Sequence, residues 1–254
     1  MQIRILGCSG GIGGELRTTS FLVDEDILID AGTGVGNLTL AEMARIRHIF
    51  ITHSHLDHIA GIPLMVDSIF SQIAQPIVIH ASAETVAALR QHIFNWTIWP
   101  DFTQLPTAKS GVLRYEVMTP YEVRTLGARQ IRMVPVNHVV PGVGYCIETH
   151  GRVAAFTGDT TTNETFWAAL NDYASVEALI VECAFANQEH DLCRKAHHYC
   201  PDLLAADLAK LRHRPPLYLT HLKPGAEGQI ERECRELIRD FELRRLFGGD
   251  VIPL

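Results

Sequence analysis

Short apolar runs bounded by polar or glycine-rich breaks recur along this chain and read as strands. The spacing predicts a strand over 3–6, a glycine-rich loop over 7–14, and a hairpin of 21–23 with 26–30 around Asp24-Glu25. A short helix over about 36–45 follows, then a strand over 49–51, an apolar helix over about 62–73 and a strand over 77–80. Ser82 caps a helix running through His92, with Thr85 at the third position, so a simple cap is implied. Strands over about 112–118, 131–136, 143–148 and 152–156 precede a helix over 164–170, capped by Thr161 or Thr162. The last third alternates: strand 179–182, helix 201–211 with Pro201 in its first turn, strand 217–220, helix 227–240. On that last helix Glu231 and Arg235 are a mild stabilising pair, and Glu236 and Asp240 a like-charge pair. Strand-rich and alternating segments succeed each other twice, which predicts an α/β architecture of two mixed sheets packed together with helices outside.

Composition narrows the class. The 254 residues suit one domain over 1–254 or two small ones closely merged, and 47 % hydrophobic with 20 % charged residues is ordinary for a globular enzyme. A net charge of -7 argues against a broad polyanion-binding surface, so nucleic acid is not the expected partner. A small anionic substrate stays compatible, because divalent metals can dominate the local field. No apolar run approaches the roughly 18 residues of a membrane span. Ile5-Leu6-Gly7-Cys8 superficially resembles a lipoprotein cleavage site, but the stretch before the cysteine is too short for a signal peptide, and a cytoplasmic location is expected. The six cysteines form no CxxC and read as reduced thiols. The run from Cys193 through His197 and His198 to Cys200 matches no standard zinc spacing. The glycine-rich opening is no dinucleotide fingerprint, since no Gly-x-Gly-x-x-Gly opens a helix there. Phe94, Trp96, Trp99 and Phe102 crowd one stretch that reads either as a core-packed connection or as a wall of a substrate pocket.

The chemistry concentrates in Thr52-His53-Ser54-His55-Leu56-Asp57-His58, directly after a buried-looking strand. A turn there can aim His53 and His55 at one metal and Asp57 and His58 at a second. Nitrogen and oxygen donors of this kind suit Zn²⁺, Mn²⁺ or Fe²⁺ and point to activation of water. Three more strand exits each deliver one ligand-type side chain: His138 after Val136-Asn137, Asp159 after Thr157-Gly158, and His221 after Thr220. Singly, each is the kind of residue that caps a turn. Together with the first motif they make seven donors, enough for two metals.

This arrangement, His-x-His-x-Asp-His followed by a distant His, Asp and His at strand ends, resembles the metallo-β-lactamase superfamily over nearly the whole chain, from residue 3 to about 221. The resemblance implies an αββα four-layer sandwich. It implies that His53, His55 and His138 bind one metal, that Asp57, His58 and His221 bind the other, that Asp159 bridges them, and that Asp30 orients the metal loop from behind. It further implies two divalent ions, zinc by default with manganese or iron open, and a hydroxide shared between them as nucleophile. His55 stands where diiron redox members of the superfamily carry Glu, which favours hydrolysis.

Glu182-Cys183-Ala184 and His198-Tyr199-Cys200-Pro201 resemble the phosphodiesterase branch, which contains tRNase Z and the class II cyclic-nucleotide phosphodiesterases. There a Glu positions a His that faces the scissile phosphate. Glu182 and His198 are therefore expected in those roles, with Asp57 also counted in the catalytic set and His197 as the competing histidine. The sequence from His53 through Gly61, and the stretch over 93–101, look most like the cyclic-nucleotide type. The implied reaction is hydrolysis of 3′,5′-cAMP or cGMP to the 5′-monophosphate. A tRNA 3′-processing endonuclease and a thioester or lactone hydrolase are the alternatives, and a homodimer is compatible with this branch.

Overall fold

A computed structural model describes residues 1–254. Fourteen strands form two seven-stranded sheets. The first contains β1 (Gln2–Gly7), β2 (Ser20–Val23), β3 (Ile27–Ile29), β4 (His48–Phe50), β5 (Ile77–Ala81), β6 (Leu113–Val117) and β14 (Val251–Pro253). Its order is β14-β1-β2-β3-β4-β5-β6. The second contains β7 (Val123–Leu126), β8 (Arg129–Val136), β9 (Gly142–Thr149), β10 (Arg152–Phe156), β11 (Ala178–Glu182), β12 (Leu217–Thr220) and β13 (Leu243–Arg245). Its order is β13-β12-β11-β10-β9-β8-β7. In each sheet four consecutive strands are parallel, β3 to β6 in the first and β10 to β13 in the second, and the rest pair antiparallel.

Helices cover the outer faces: α1 (Leu40–Met43), α2 (Leu56–Ile59), α3 (Gly61–Ser68) and α4 (Ala83–Ala88) over the first sheet, and α5 (Thr165–Asn171), α7 (Pro201–Leu208) and α8 (Glu227–Leu237) over the second. α6 (His190–Ala196) precedes the segment that carries His198. The period-two alternation of strand side chains sorts the core into three slabs. On β3, Leu28 faces the outer helices while Ile27 and Ile29 face the other sheet. On β11, Leu179 and Val181 point outward and Ala178 and Ile180 point inward. Both faces of these strands are covered, so they read as continuous apolar runs. The result is the expected α/β, four-layer sandwich of two mixed sheets between helices.

Several local expectations need correction. The helix over 36–45 is a 3₁₀ turn (Thr33–Asn37) followed by α1, which Thr39 and Glu42 start with a reciprocal capping box. The apolar helix ends at Ser68 and continues only as a 3₁₀ turn, and the helix capped by Ser82 widens into a π turn over Leu89–Ile93. β7, β13, β14 and α6 were not expected. The aromatic stretch divides: Phe94 and Phe102 are buried in the first core slab, whereas Trp96 and Ile98 are exposed.

Between the sheets His80 stacks on Phe50 with ring centroids 4.3 Å apart, and its Nε2 lies 3.0 Å from His48 Nδ1. Burial and the neighbouring His48, Arg124 and Arg114 push the His80 pKa down to about 3. The folded protein thus keeps this ring neutral where the unfolded chain, with a histidine near 6.5, takes up a proton. Its contribution to stability is complete above pH 6.5 and is lost as pH falls from 6.5 toward 3. Across that window it costs up to about 1.4 kcal/mol per pH unit. Unfolding of the wild type and of His80→Gln, followed by denaturant titration between pH 7 and 5, is expected to show the steeper acid loss in the wild type. Parallel slopes would refute the assignment.

Candidate metal centre

Apart from His198, which lies between α6 and α7, every chemistry-bearing residue lies at the carboxyl end of a strand, at the same edge of the sandwich, where α/β sheets place their ligands. From the first sheet come Asp30 after β3 and the run His53–His58 after β4; from the second come His138 after β8, Asp159 after β10, Glu182 at the end of β11 and His221 after β12. The edge is stitched across the sheets, because Tyr145 on β9 donates its hydroxyl to Ile51 O at 2.8 Å and Val143 N–H donates to Thr52 O at 3.0 Å.

Two donor groups form there, His53, His55 and His138 in one and Asp57, His58, Asp159 and His221 in the other, with ligand atoms in each within 4.8 Å of one another. Asp159 faces both groups: its Oδ2 lies 3.2 Å from His58 Nε2, 3.3 Å from His221 Nε2 and 3.7 Å from His53 Nε2. A third overlapping group joins His138, Asp159 and His198.

The hydrogen bonds behind the rings settle which nitrogen points inward. Asp30, fully buried, accepts from Thr52 N–H at 2.8 Å, from the Thr52 hydroxyl at 2.8 Å and from His58 Nδ1 at 2.7 Å. The Thr52 hydroxyl gives its proton to Asp30 and so accepts from His53 Nδ1 at 3.0 Å. His138 Nδ1 donates to His197 O at 2.9 Å. These bonds leave Nε2 of His53, His58 and His138 facing the cluster. Nε2 of His53, His58 and His221 and Oδ1 of Asp159 are buried with no hydrogen-bond partner. His138 Nε2 and His55 Nδ1 sit 3.2 Å apart at the same edge. Buried, orphaned and convergent N and O donors are what a divalent cation requires, and the residues present therefore fit two metals.

The electrostatics agree for His53, His138 and His221; at His58 burial pulls the pKa down, but Asp159 and Asp30 more than offset it and the net direction is up. Burial, with neighbouring imidazoles, pushes His53 well below the usual histidine value, and pushes His221 to about 3 and His138 to about 4. These rings stay neutral, the ligand form. Burial alone would raise the Asp159 carboxyl, but the imidazoles around it, among them His58 with its raised pKa and its hydrogen bond, hold it well below the carboxylate range.

Beside the clusters, His198 is 7 % exposed and Glu182 fully buried. His198 Nδ1 donates to Glu182 Oε1 at 2.8 Å, and the His198 ring stands 5.0 Å from His138 and 5.3 Å from His221, centroid to centroid. Burial pulls the His198 pKa down, and the charge and hydrogen bond of Glu182 more than offset it, so the net direction is up. His197 occupies a left-handed conformation (φ 51°) at the end of α6; it supplies its carbonyl to His138, while its ring lies at the surface near Asn137. The structure thus separates the two histidines. Cys193 forms no metal site with the histidines, because its Sγ donates to His198 O at 2.9 Å.

Close backbone approach completes the floor. Gly158 has φ +63°, and a Cβ there would lie 2.7 Å from Val143 O. A Cβ on Gly10 would lie 2.4 Å from His221 O, so the glycine-rich loop presses directly on a donor-bearing strand exit. Thr52, the hydroxyl relay between Asp30 and His53, is a contributor that sequence reasoning missed, since a threonine after a strand carries no chemical signature of its own.

The beta-lactamase superfamily domain matches this chain over residues 25–222. A probable 3′,5′-cyclic-nucleotide phosphodiesterase of Yersinia pestis is 29 % identical across 76 % of this chain, and the match spans 61 % of that relative's length. A ribonuclease Z of Haloarcula marismortui is 29 % identical, over 99 % of this chain and 94 % of its own. Among solved structures, unliganded yeast PDE1 superposes with a TM-score of 0.83 at 20 % identity, covering 100 % of this chain and 99 % of the other.

Asp30→Asn keeps the shape of the buried carboxylate but removes its charge. It is expected to weaken metal binding about 10–100-fold, as loss of a carboxylate behind a ligand histidine typically does. Metal retention against graded chelator, read by elemental analysis, checks this; unchanged retention would show that Asp30 is not what holds His58.

Proposed function

This chain belongs to the beta-lactamase superfamily, and from that premise we propose that residues 1–254 act as one dinuclear metal-dependent phosphodiesterase domain, most fitted to hydrolysing 3′,5′-cyclic nucleotides to 5′-monophosphates. The observation that carries the reading is the Glu182–His198 pair set against two adjoining donor groups. Hydrolysis at a metal pair needs only the donors; a buried, carboxylate-held imidazole beside them serves a reaction whose leaving oxygen must be protonated.

His53, His55 and His138 would hold one metal and Asp57, His58 and His221 the other, with Asp159 shared. Five imidazoles and two carboxylates suit zinc, which we take as the ion. When bound, the metals supply an activated water and charge to neutralise the phosphoryl oxygens. The protein does the rest. Asp30 and Thr52 keep the ring nitrogens of His58 and His53 turned inward. Glu182 holds the Nδ1 proton of His198, so Nε2 is the atom that gives its proton to the departing alkoxide. The raised pKa of His198 keeps that proton in place until it is needed, a contribution of ~10²–10⁴-fold. Asp57, 29 % exposed at its side chain, borders the open side of the site, where it can contact water or substrate.

Similarity to a ribonuclease Z along the whole chain favours a second reading, RNA 3′-end hydrolysis at the same centre. The net charge of -7 weighs against a long polyanion.

A panel of bis-p-nitrophenyl phosphate, cAMP, a tRNA precursor, a lactone and S-lactoylglutathione separates the readings. Turnover is expected for the two small phosphodiesters, with cAMP preferred; faster hydrolysis of the thioester or lactone would overturn the proposal, and salt-dependent cleavage of the precursor would replace it by the RNA reading. His198→Ala is expected to lower cAMP turnover ~10²–10⁴-fold with both metals retained. Metal loss at unchanged turnover per bound metal would assign His198 to coordination instead.

A further inference from the structure

We propose that Asp207, which belongs to none of the donor groups, is a positioning residue for His198, acting through Tyr199 and Asn163. The inference rests on the proton-donor reading of His198 above.

Asp207 lies in the last turn of α7 and is 2 % exposed. Its Oδ2 accepts from the Tyr199 hydroxyl at 2.6 Å, Trp167 Nε1 at 2.9 Å and Asn163 N–H at 3.0 Å, and its Oδ1 accepts from Lys210 Nζ at 2.8 Å. A buried carboxylate this well satisfied is a stabilising feature in any protein. What distinguishes this one is where its partners lead. Tyr199 follows His198 in the chain, and its N–H donates to Glu182 Oε1 at 3.3 Å. Asn163 Nδ2 donates to the Thr160 hydroxyl at 3.2 Å, and Thr160 N–H donates to Glu182 Oε1 at 3.0 Å. Thr160 in turn follows Asp159. Glu182 Oε1 therefore accepts three hydrogen bonds, from His198, Thr160 and Tyr199, and the last two come from segments pinned to Asp207. Glu182 Oε2 has no partner. The orientation of the Glu182 carboxylate, and with it the direction of the His198 ring, depends on those bonds to a single oxygen.

Loosening the Tyr199 anchor is expected to let the carboxylate and the imidazole swing together without emptying the donor groups. Misplacement of a reacting group by about 1 Å costs on the order of 10²-fold. Partial loosening is expected to cost about tenfold, and only where the proton matters.

Diphenyl phosphate and bis-p-nitrophenyl phosphate share a shape but differ in leaving group: phenolate needs the proton, nitrophenolate leaves without it. Tyr199→Phe keeps the ring and removes the hydroxyl, so it remains foldable if Asp207→Asn is not. Assayed with both metals verified by elemental analysis, Tyr199→Phe is expected to lower kcat on diphenyl phosphate about tenfold. KM should be unchanged and the nitrophenyl ester nearly unaffected. Equal loss on both esters, or no loss on either, overturns the inference. His198→Ala, run in parallel, separates the failures. If His198→Ala is selective for diphenyl phosphate and Tyr199→Phe is not, the positioning role fails and the proton-donor reading stands. If His198→Ala is not selective, both fall.

Discussion

The site depends on one carboxylate oxygen shared between two sheets. Asp159, delivered by β10 of the second sheet, places Oδ2 within 3.2 Å of His58 from the first sheet and 3.3 Å of His221 from the second. Nothing else in the centre touches rings from both halves so closely. A buried carboxylate surrounded by imidazoles is tolerated only because each partner compensates the other, and that compensation fixes the distance between the sheets at this edge. The hydrogen bonds from Tyr145 and Val143 to the strand exit before His53 enforce the same spacing from the backbone side.

Strain accumulates around this point. Asp30, His197 and His221 all adopt positive φ, at 55°, 51° and 63°, without the freedom of glycine. Each such residue costs of the order of 1–3 kcal/mol, and such costs cluster where geometry serves chemistry. Here every strained residue directs a particular group. Asp30 turns its carboxylate under Thr52 and His58, His197 turns its carbonyl to His138, and His221 turns its own ring toward Asp159. Three apolar slabs, each continuous through the sandwich, supply the rigidity that holds these conformations.

Much of the architecture was legible because both sheets are covered on both faces. Apolar runs such as 49–51, between His48 and Thr52, and 178–181, between Glu177 and Glu182, stand out against their polar neighbours. The donor residues were legible for a different reason: an imidazole or carboxylate at one strand exit can be a turn cap, but seven of them in the His53–His58 pattern and at three further exits have no turn-capping explanation. The structure brings all seven together, with Glu182 and His198 beside them. What escaped was held by tertiary context. β7 carries Arg and Thr and pairs along an edge; β13 and β14 are three residues long and exist only because a neighbour offers a ladder. Thr52, Asp207 and Tyr199 matter through hydrogen bonds to residues brought near by the fold, which no local pattern announces. The division of 93–102 into buried Phe94 and Phe102 and outward Trp96 and Ile98 has the same origin, since aromatic content is blind to direction.

The sharing of donors between the sheets has a mechanical corollary. A cation gripped from both sides acts as a bolt through the open edge of the sandwich, and prising the layers apart means surrendering its coordination. Folding and ion capture then draw on one reservoir of free energy. The melting temperature of such a molecule becomes a readout of the surrounding ion concentration.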